Sequence, residues 1–225
     1  NELFRQSNTI LLDGGMGTQL QARGLQPGQK PELAALEMPE VLTAIHTDYA
    51  NAGADILLAN TFGANAKKLT GCGHTVEEVV SASIACARKA ADTTGACVAL
   101  DIGPLGELLV PAGTLAFEDA YKEFAQVIRA GAAAGADLVF LETMTDLYEL
   151  KAAILAAREN CDLPVFTSMS FESRGRTFTG CTVESYAVTA AGLGADAVGI
   201  NCSLGPKEIL PFAQRLCRSV PAGVP

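Results

Sequence analysis

The chain has 225 residues, of which 49% are hydrophobic, so it can bury a large core as one domain. Its formal net charge of -9 argues against nucleic acid as the main partner, because neutralising phosphates requires a basic surface. No run approaches the ~20 apolar residues of a membrane span, and no basic-then-apolar signal segment opens the sequence. We therefore expect a cytoplasmic protein with one domain over residues 1–225 and with neither a membrane nor a nucleic acid as partner.

The predicted elements alternate between strands and helices. Stretches rich in Ala, Leu, Glu and Lys separate the strand candidates, and Phe117 to Phe124 and Asp146 to Asn160 carry apolar residues at helical spacing. The strand candidates are apolar without polar alternation, which is typical of parallel strands buried on both faces. Together they predict an α/β fold with a parallel sheet. The six predicted strands are residues 10–13, 56–59, 98–102, 138–141, 165–170 and 197–200.

The number of units indicates the kind of sheet. Six βα units, with a seventh expected to begin near Val224, predict an incomplete (β/α)8 barrel of the TIM type. A complete barrel of this kind needs roughly 250 residues, so we expect this chain to stop before strands 7 and 8. The alternative is an open doubly wound sheet of six strands. Against it, no first βα turn carries the Gly-x-Gly-x-x-Gly pattern that opens a helix.

One phrase occurs three times: Gly-Ala-Asp, a short apolar run, and then a polar pair seven and eight residues after the glycine. Active sites of parallel barrels lie at the carboxyl ends of the strands. We therefore expect the polar pairs to meet at one mouth, together with Asp13, Asp101 and Ser168 to Ser170. The three pairs are Asn60-Thr61, Glu142-Thr143 and Asn201-Cys202.

The predicted mouth has carboxylates, amides, hydroxyls and one thiol, but no histidine. His46 and His74 fall on a helix and near a helix start, where we expect them to be solvated, so a histidine general base is not predicted. The seven cysteines include no Cys-x-x-Cys pair, which argues against a disulfide framework and a zinc ribbon. We expect Cys86 and Cys217 to be packing residues in helices, whereas Cys202 follows a strand.

Two carboxylates are candidates for binding a ligand. Glu142 ends an apolar strand, where a ligand ammonium group, a salt bridge to a neighbouring strand or a helix cap near Asp146 could each meet its charge. Asp13 precedes Gly14-Gly15-Met16-Gly17-Thr18. Backbone amides of such a glycine-rich turn can approach an anion closely, although a tight strand-to-helix turn explains the glycines equally well.

Several motifs together resemble the homocysteine S-methyltransferase family, and within it the homocysteine-binding barrel of the cobalamin-dependent members. The resemblance runs from about Ile10 to the last residue and implies a (β/α)8 barrel. It departs from the family at Asp101, where related sequences usually carry a small residue. The motifs are Asp13-Gly14-Gly15-Met16-Gly17-Thr18, Asn60-Thr61-Phe62-Gly63-Ala64-Asn65, Ile102-Gly103-Pro104, Glu142-Thr143-Met144, Gly175-Arg176-Thr177 and Gly199-Ile200-Asn201-Cys202-Ser203-Leu204-Gly205-Pro206.

The resemblance implies a zinc site of three cysteine thiolates, with the substrate thiol in the remaining position. Cys202 matches the first ligand and would be the catalytic residue. The other two belong to a Gly-Gly-Cys-Cys segment that this sequence does not contain. Asp13 and Glu142 would hold the homocysteine amino group, backbone amides near the strand ends would hold its carboxylate, and Gly14, Thr143 and Asn201 would complete the substrate site.

The implied reaction transfers a methyl group to the homocysteine thiolate and yields methionine. The implied donor is methylcobalamin on a corrinoid-binding module, recharged from methyltetrahydrofolate; S-methylmethionine or a methylated amine is the alternative. Two further alternatives are a non-catalytic barrel that serves as a binding module and an aldolase-like or phosphate-binding barrel enzyme. The absence of lysine from the ends of the six predicted strands argues against the aldolase-like barrel.

Overall fold

The computed structural model describes residues 9–225. No helix among these residues is long and apolar enough to cross a membrane. In chain order, the elements of the described part are α1 Met16–Ala22, a 3₁₀ helix Pro31–Leu33, α2 Ala34–Glu37, α3 Pro39–Asn51, β1 Ile56–Leu58, α4 Val76–Ala91, β2 Cys97–Ile102, α5 Phe117–Ala133, β3 Leu138–Met144, α6 Leu147–Asn160, β4 Val165–Met169, α7 Val183–Gly192, β5 Ala197–Ile200 and α8 Pro206–Ser219.

The strands are parallel. The chain divides into two compact units, the first extending to Asp101 and including Arg129–Leu138, the second comprising Ile102–Ile128 and Val139–Pro225. In the first unit β1 pairs with β2. In the second, β4 lies between β3 and β5. The strand order follows the sequence from β1 to β5, which confirms the predicted α/β fold with a parallel sheet.

The predicted first strand, residues 10–13, is only an isolated parallel bridge between Leu12 and Ile56. Leu11 O accepts from the backbone N–H groups of Asp55 and Ile56 at 2.8 and 3.1 Å, and Asp13 N–H donates to Ile56 O at 3.0 Å. The segment therefore runs beside β1 without forming a regular strand. Of the six predicted strands, five are strands in the described part of the chain, and residues 10–13 are corrected to an isolated bridge.

Both predicted helices are confirmed. The predicted residues Phe117 to Phe124 lie in α5, which continues to Ala133. Asp146 is the N-cap of α6, where its carboxylate accepts from Tyr148 N–H at 3.0 Å and satisfies a backbone donor that the first turn leaves unpaired.

The repeated Gly-Ala-Asp phrase positions the amino end of each strand that follows it. In every copy the aspartate N–H donates to the carbonyl of a residue in the neighbouring segment at 2.8 Å. One carboxylate oxygen of the same aspartate accepts from the N–H of that same residue at 2.7 or 2.8 Å. Each aspartate thus fixes the register of its strand with two hydrogen bonds. The pairs are Asp55 with Leu11, Asp137 with Val98, and Asp196 with Val165.

The backbone conformation explains why each copy of the phrase begins with glycine. Gly53, Gly135 and Gly194 have φ of +100°, +88° and +92°, a backbone conformation in which a Cβ is strained. They end the preceding helix and turn the chain into the strand. In the last two copies an arginine from the helix one unit earlier adds an ion pair, Arg88 on α4 to Asp137 at 2.7 Å and Arg158 on α6 to Asp196 at 2.5 Å.

A buried tyrosine ties α7 to the sheet of the second unit. Tyr186 has no exposed surface. Its hydroxyl donates to Thr167 O at 2.9 Å and accepts from Gly199 N–H at 3.1 Å, so it bonds to both β4 and β5. Burial raises the pKa of this phenol, which keeps it a neutral donor. The contact holds β5 in place immediately before the polar residues that follow it.

Candidate functional site

Four of the predicted site residues lie together at the carboxyl ends of β3 and β5 in the second unit. The Asn201 Nδ2 amide donates to Glu142 Oε2 at 2.9 Å and to Thr143 Oγ1 at 2.8 Å. Thr143 Oγ1 lies 3.6 Å from Cys202 Sγ. Glu142, Thr143 and Asn201 are half-buried, whereas Cys202 is exposed. We call these four residues the strand-end cluster; its thiol is open to a ligand.

The backbone around the cluster is irregular. The β3–β4 register shifts between Leu141 and Met144, which places the irregularity at Glu142 and Thr143. Thr143 has φ of +58°, a conformation that is costly for a β-branched residue. Bulges next to active sites re-aim side chains, and residues in sparsely populated conformations concentrate at functional sites. The strain is therefore an independent indication that this strand end has a function.

The residues after β5 also have backbone angles in the left-handed region. Cys202 and Ser203 have φ of +60° and +59°, and with Thr143 they are the non-glycine residues of positive φ in the described part of the chain. Leu204 N–H donates to Cys202 O at 2.7 Å, which closes a tight turn. Ser203 contacts the Ser170 hydroxyl from the end of β4. The turn directs the Cys202 thiol toward the Thr143 hydroxyl.

A fifth residue, Ser168 on β4, forms hydrogen bonds to two members of the cluster, Thr143 and Asn201. Its side chain is 2% exposed. Ser168 Oγ donates to Asn201 Oδ1 at 2.9 Å and accepts from Thr143 N–H at 3.3 Å. The sequence placed Ser168 at the strand ends but gave it no role, because its partners are side-chain and backbone atoms of two other strands.

The equivalent residues of the first unit bond mainly to backbone. Asn60 Nδ2 donates to Pro31 O at 2.6 Å, and the Thr61 hydroxyl donates to Asp101 O at 2.8 Å and accepts from Asp101 N–H at 3.1 Å. Asp13 Oδ2 accepts from Leu58 N–H at 2.9 Å. These contacts give Asn60 and Thr61 a structural role. A site shared by Asp13 and Glu142 stays a prediction.

Gly14 lies against an aromatic ring. A Cβ at this position would stand 2.9 Å from atoms of the Tyr49 side chain, so the ring and a larger residue could not share the space without a shift. The Tyr49 hydroxyl also donates to Gly15 O at 3.2 Å. Close packing on Tyr49 therefore accounts for Gly14, and its role in substrate binding stays a prediction.

Two expectations for single residues were wrong. His46 on α3 is fully buried, not solvated, and burial lowers its pKa to about 4. Cys217 on α8 is exposed, not packed. Cys86 is buried in the core of the first unit, as predicted. His74 precedes α4 and lies 3.7 Å from Glu78.

The described residues do not complete a zinc site. Cys202 offers an exposed sulfur, the kind of ligand that zinc prefers. A structural or catalytic zinc needs at least three protein ligands, and no group of three His, Cys, Asp or Glu side chains among residues 9–225 is placed to hold a metal. Cys202 can therefore serve only as one ligand of a larger set.

The sequence identifies the family of this chain. Residues 10–224 match the family model described as homocysteine S-methyltransferase, so the chain belongs to this family and the resemblance seen in its motifs is confirmed. The chain is 34% identical over 229 aligned residues to a methionine synthase from Mycobacterium tuberculosis and 32% identical over 228 to one from Mycobacterium leprae, in each case over 92% of this chain. It spans about a fifth of the length of these relatives, 19% and 18%.

Solved structures show a similar fold. The metallated form of the homocysteine methyltransferase MmuM from Escherichia coli superposes with a TM-score of 0.81 at 23% identity, covering 96% of this chain and 91% of that one. The apo form of the same protein has a TM-score of 0.74 at 24% identity, covering 92% of this chain and 76% of that one. At these identities the likeness concerns the fold alone.

Proposed function

We propose that this chain binds homocysteine and accepts a methyl group onto it, as part of a methyltransferase that makes methionine. Membership of the homocysteine S-methyltransferase family supports the substrate. The methionine synthase relatives support the product. The observation that carries the proposal is the strand-end cluster, where a carboxylate, an amide, a hydroxyl and an accessible thiol meet within hydrogen-bonding distance.

In this proposal Glu142 binds the homocysteine ammonium group. A half-buried carboxylate favours a cationic partner, and a hydrogen bond to an ionised acceptor is roughly twice as strong as a neutral one. Asn201 holds Glu142 Oε2 in a fixed orientation. Asp13 shares the ammonium group, Gly14 and Thr143 line the substrate site, and backbone N–H groups near the strand ends take the carboxylate.

Cys202 is proposed as one zinc ligand, completed by ligands outside this chain. When bound, zinc deprotonates a coordinated thiol at neutral pH and leaves it nucleophilic. This chain's own contribution is to orient homocysteine by its amino and carboxylate groups. Fixing two reactants in place removes an entropic barrier of several kcal/mol without any acid-base histidine.

The remaining parts of the proposal lie beyond the chain. Since it spans about a fifth of its methionine synthase relatives, we propose that it contributes the homocysteine-binding (β/α)8 barrel of a larger protein. The methyl donor is methylcobalamin, held by a corrinoid-binding module and recharged from methyltetrahydrofolate. S-methylmethionine and methylated amines are the alternative donors.

The test is methionine formation by the full-length protein from homocysteine, with methylcobalamin, S-methylmethionine or a methylated amine supplied in turn. Turnover with methylcobalamin supports the whole proposal, and turnover with another donor corrects the donor alone. Homocysteine binding without turnover under any donor would indicate a non-catalytic binding module. Absence of homocysteine binding would refute the proposed function.

A further inference from the structure

Ser168 occupies a central place in the strand-end cluster. It is almost fully buried on β4, which lies between β3, the strand of Glu142, and β5, the strand that Asn201 follows. Its oxygen accepts the Thr143 N–H at 3.3 Å, and its own proton is donated to Asn201 Oδ1 at 2.9 Å. One hydroxyl therefore bonds to β3 and to the residue that follows β5.

These bonds have a direction. An amide side chain can present either its oxygen or its NH2 group to a neighbour, and the hydrogen-bond network decides which. Because Ser168 donates to Asn201 Oδ1, the NH2 group must point the other way. There Asn201 Nδ2 donates to Glu142 Oε2 and to Thr143 Oγ1, at nitrogen–oxygen distances of 2.9 and 2.8 Å. The reversed amide would place an oxygen against the Glu142 carboxylate, an unfavourable contact.

We infer that Ser168 is a positioning residue for recognition of the substrate's amino group. By fixing the Asn201 amide it contributes to the orientation of the Glu142 carboxylate, which is the group proposed to bind the ammonium of a thiol-bearing α-amino acid. Ser168 itself touches neither the amino group nor the reacting sulfur. The inference rests on the proposed function, since it assumes that homocysteine is the ligand of this cluster.

If Ser168 acts in this way, its loss should affect only ligands that carry an amino group. Loss of the Ser168 hydroxyl removes the bond that holds Asn201 Oδ1, and the contact from Asn201 Nδ2 to Glu142 Oε2 is then weakened. Affinity falls only for ligands that carry the amino group. One hydrogen bond of this kind corresponds to a roughly 3- to 10-fold loss of affinity. A thiol acid of the same length without the amino group, 4-mercaptobutanoate, loses no affinity.

The experiment compares Ser168→Ala with Ser168→Thr in the full-length protein, by calorimetric titration with homocysteine and with 4-mercaptobutanoate. Ser168→Ala is expected to weaken homocysteine binding roughly 3- to 10-fold without affecting the analogue. Ser168→Thr keeps the hydroxyl and restores the affinity. Ser83→Ala is the matched control, since Ser83 is equally buried and donates to Asn60 O at 3.2 Å outside the cluster; it leaves both affinities unchanged.

Each contrary outcome has its own meaning. An equal loss for both ligands in Ser168→Ala would show a general structural effect and overturn the inference, as would an unchanged affinity for homocysteine. If Ser168→Ala does not fold, Ser168→Cys keeps a side chain of similar size with a weaker donor. The same selective loss for homocysteine is then expected, and a loss shared by both ligands refutes the inference. If the wild-type protein does not bind homocysteine, the proposed function fails before Ser168 is tested.

Discussion

At the scale of single residues, Asn201 Nδ2 donates to Glu142 Oε2 at 2.9 Å, which places the carboxylate within the strand-end cluster. We predict that Glu142→Gln weakens homocysteine binding about 10- to 100-fold, because a hydrogen bond to a charged group contributes about 1.5 to 3 kcal/mol. Calorimetric titration of the full-length protein measures this effect. Glu172→Gln is the control, since Glu172 is an exposed carboxylate of the same unit.

Zinc content shows whether Glu142 binds the amino group of the substrate or the metal. Glu142→Gln should leave bound zinc unchanged, because Glu142 is assigned to the amino group. Loss of zinc in this variant would show that Glu142 acts at the metal and that its assigned role is wrong.

The two exposed cysteines of the second unit provide a second test at this scale. Cys202→Ala should abolish metal-dependent methionine formation and leave the melting temperature unchanged, because an exposed thiol contributes little packing. Cys217→Ala removes the other exposed thiol, from α8, and should keep full activity. Wild-type turnover by Cys202→Ala would contradict the proposed zinc-ligand role.

At the scale of elements, the repeated phrase combines two tasks. Its aspartate fixes the amino end of a strand, as Asp196 does for β5 by accepting from Val165 N–H at 2.8 Å. Its polar pair, seven and eight residues after the glycine, emerges at the carboxyl end. The aspartate thereby sets the register that brings Asn201 to Glu142. Register errors in a strand change which side chains reach the site.

We predict that Asp196→Ala lowers the free energy of unfolding by about 1 to 3 kcal/mol, because it leaves the Val165 N–H and the Arg158 guanidinium without this partner. Urea denaturation measures the change. Asp119→Ala is the control, since its ion pair with Lys122 at 2.9 Å is exposed and should contribute at most about 0.5 kcal/mol. Equal losses in both variants would refute a special role for the repeated aspartate.

Much of this organisation could be predicted from the sequence. Unbroken apolar runs predict buried parallel strands, and spacing from the glycine identified Glu142-Thr143 and Asn201-Cys202 as residues that meet. Residues 10–13 have the same apolar character but form only a bridge, with Leu11 and Leu12 54% and 43% exposed. Pairing depends on partner strands and not on a segment's own composition.

Other features of the site depend on contacts between strands, and residue spacing in the sequence does not predict these contacts. The left-handed backbone of Thr143 coincides with a register shift between β3 and β4, and a threonine is a poor sequence signal for positive φ. The link from Ser168 to Asn201 requires knowledge of the amide orientation on another strand. The proximity of these two pairs was therefore predictable from the sequence, but the network that orients them was not.

At the scale of the whole molecule, the chain's stability should depend on one buried histidine. His46 lies on α3 beside the buried residues Leu42 and Ile45. Neither ring nitrogen has a hydrogen-bond partner within the described part of the chain. A single histidine in a predicted helix is usually exposed to solvent. For this reason the sequence predicted a solvated His46, whereas the structure buries it.

The pH dependence follows from this burial. Burial lowers the pKa of His46 from 6.5 to about 4, so the folded chain stays neutral at this site while the unfolded chain takes up a proton below pH 6.5. The contribution of neutral His46 to stability is therefore complete above pH 6.5 and is lost as the pH falls toward 4. Between pH 7 and pH 5 the linkage relation gives a loss of about 2 kcal/mol.

We predict that His46→Leu removes this part of the acid sensitivity, because an apolar side chain of similar size fills the same buried position without a titrating group. Urea denaturation at pH 7 and pH 5 measures it: the difference between the two pH values should be smaller in His46→Leu than in the wild type by about 2 kcal/mol. His74→Leu, at an exposed histidine, should keep the wild-type difference. If both variants retain the wild-type difference, carboxylates and not His46 determine how acid unfolds this protein.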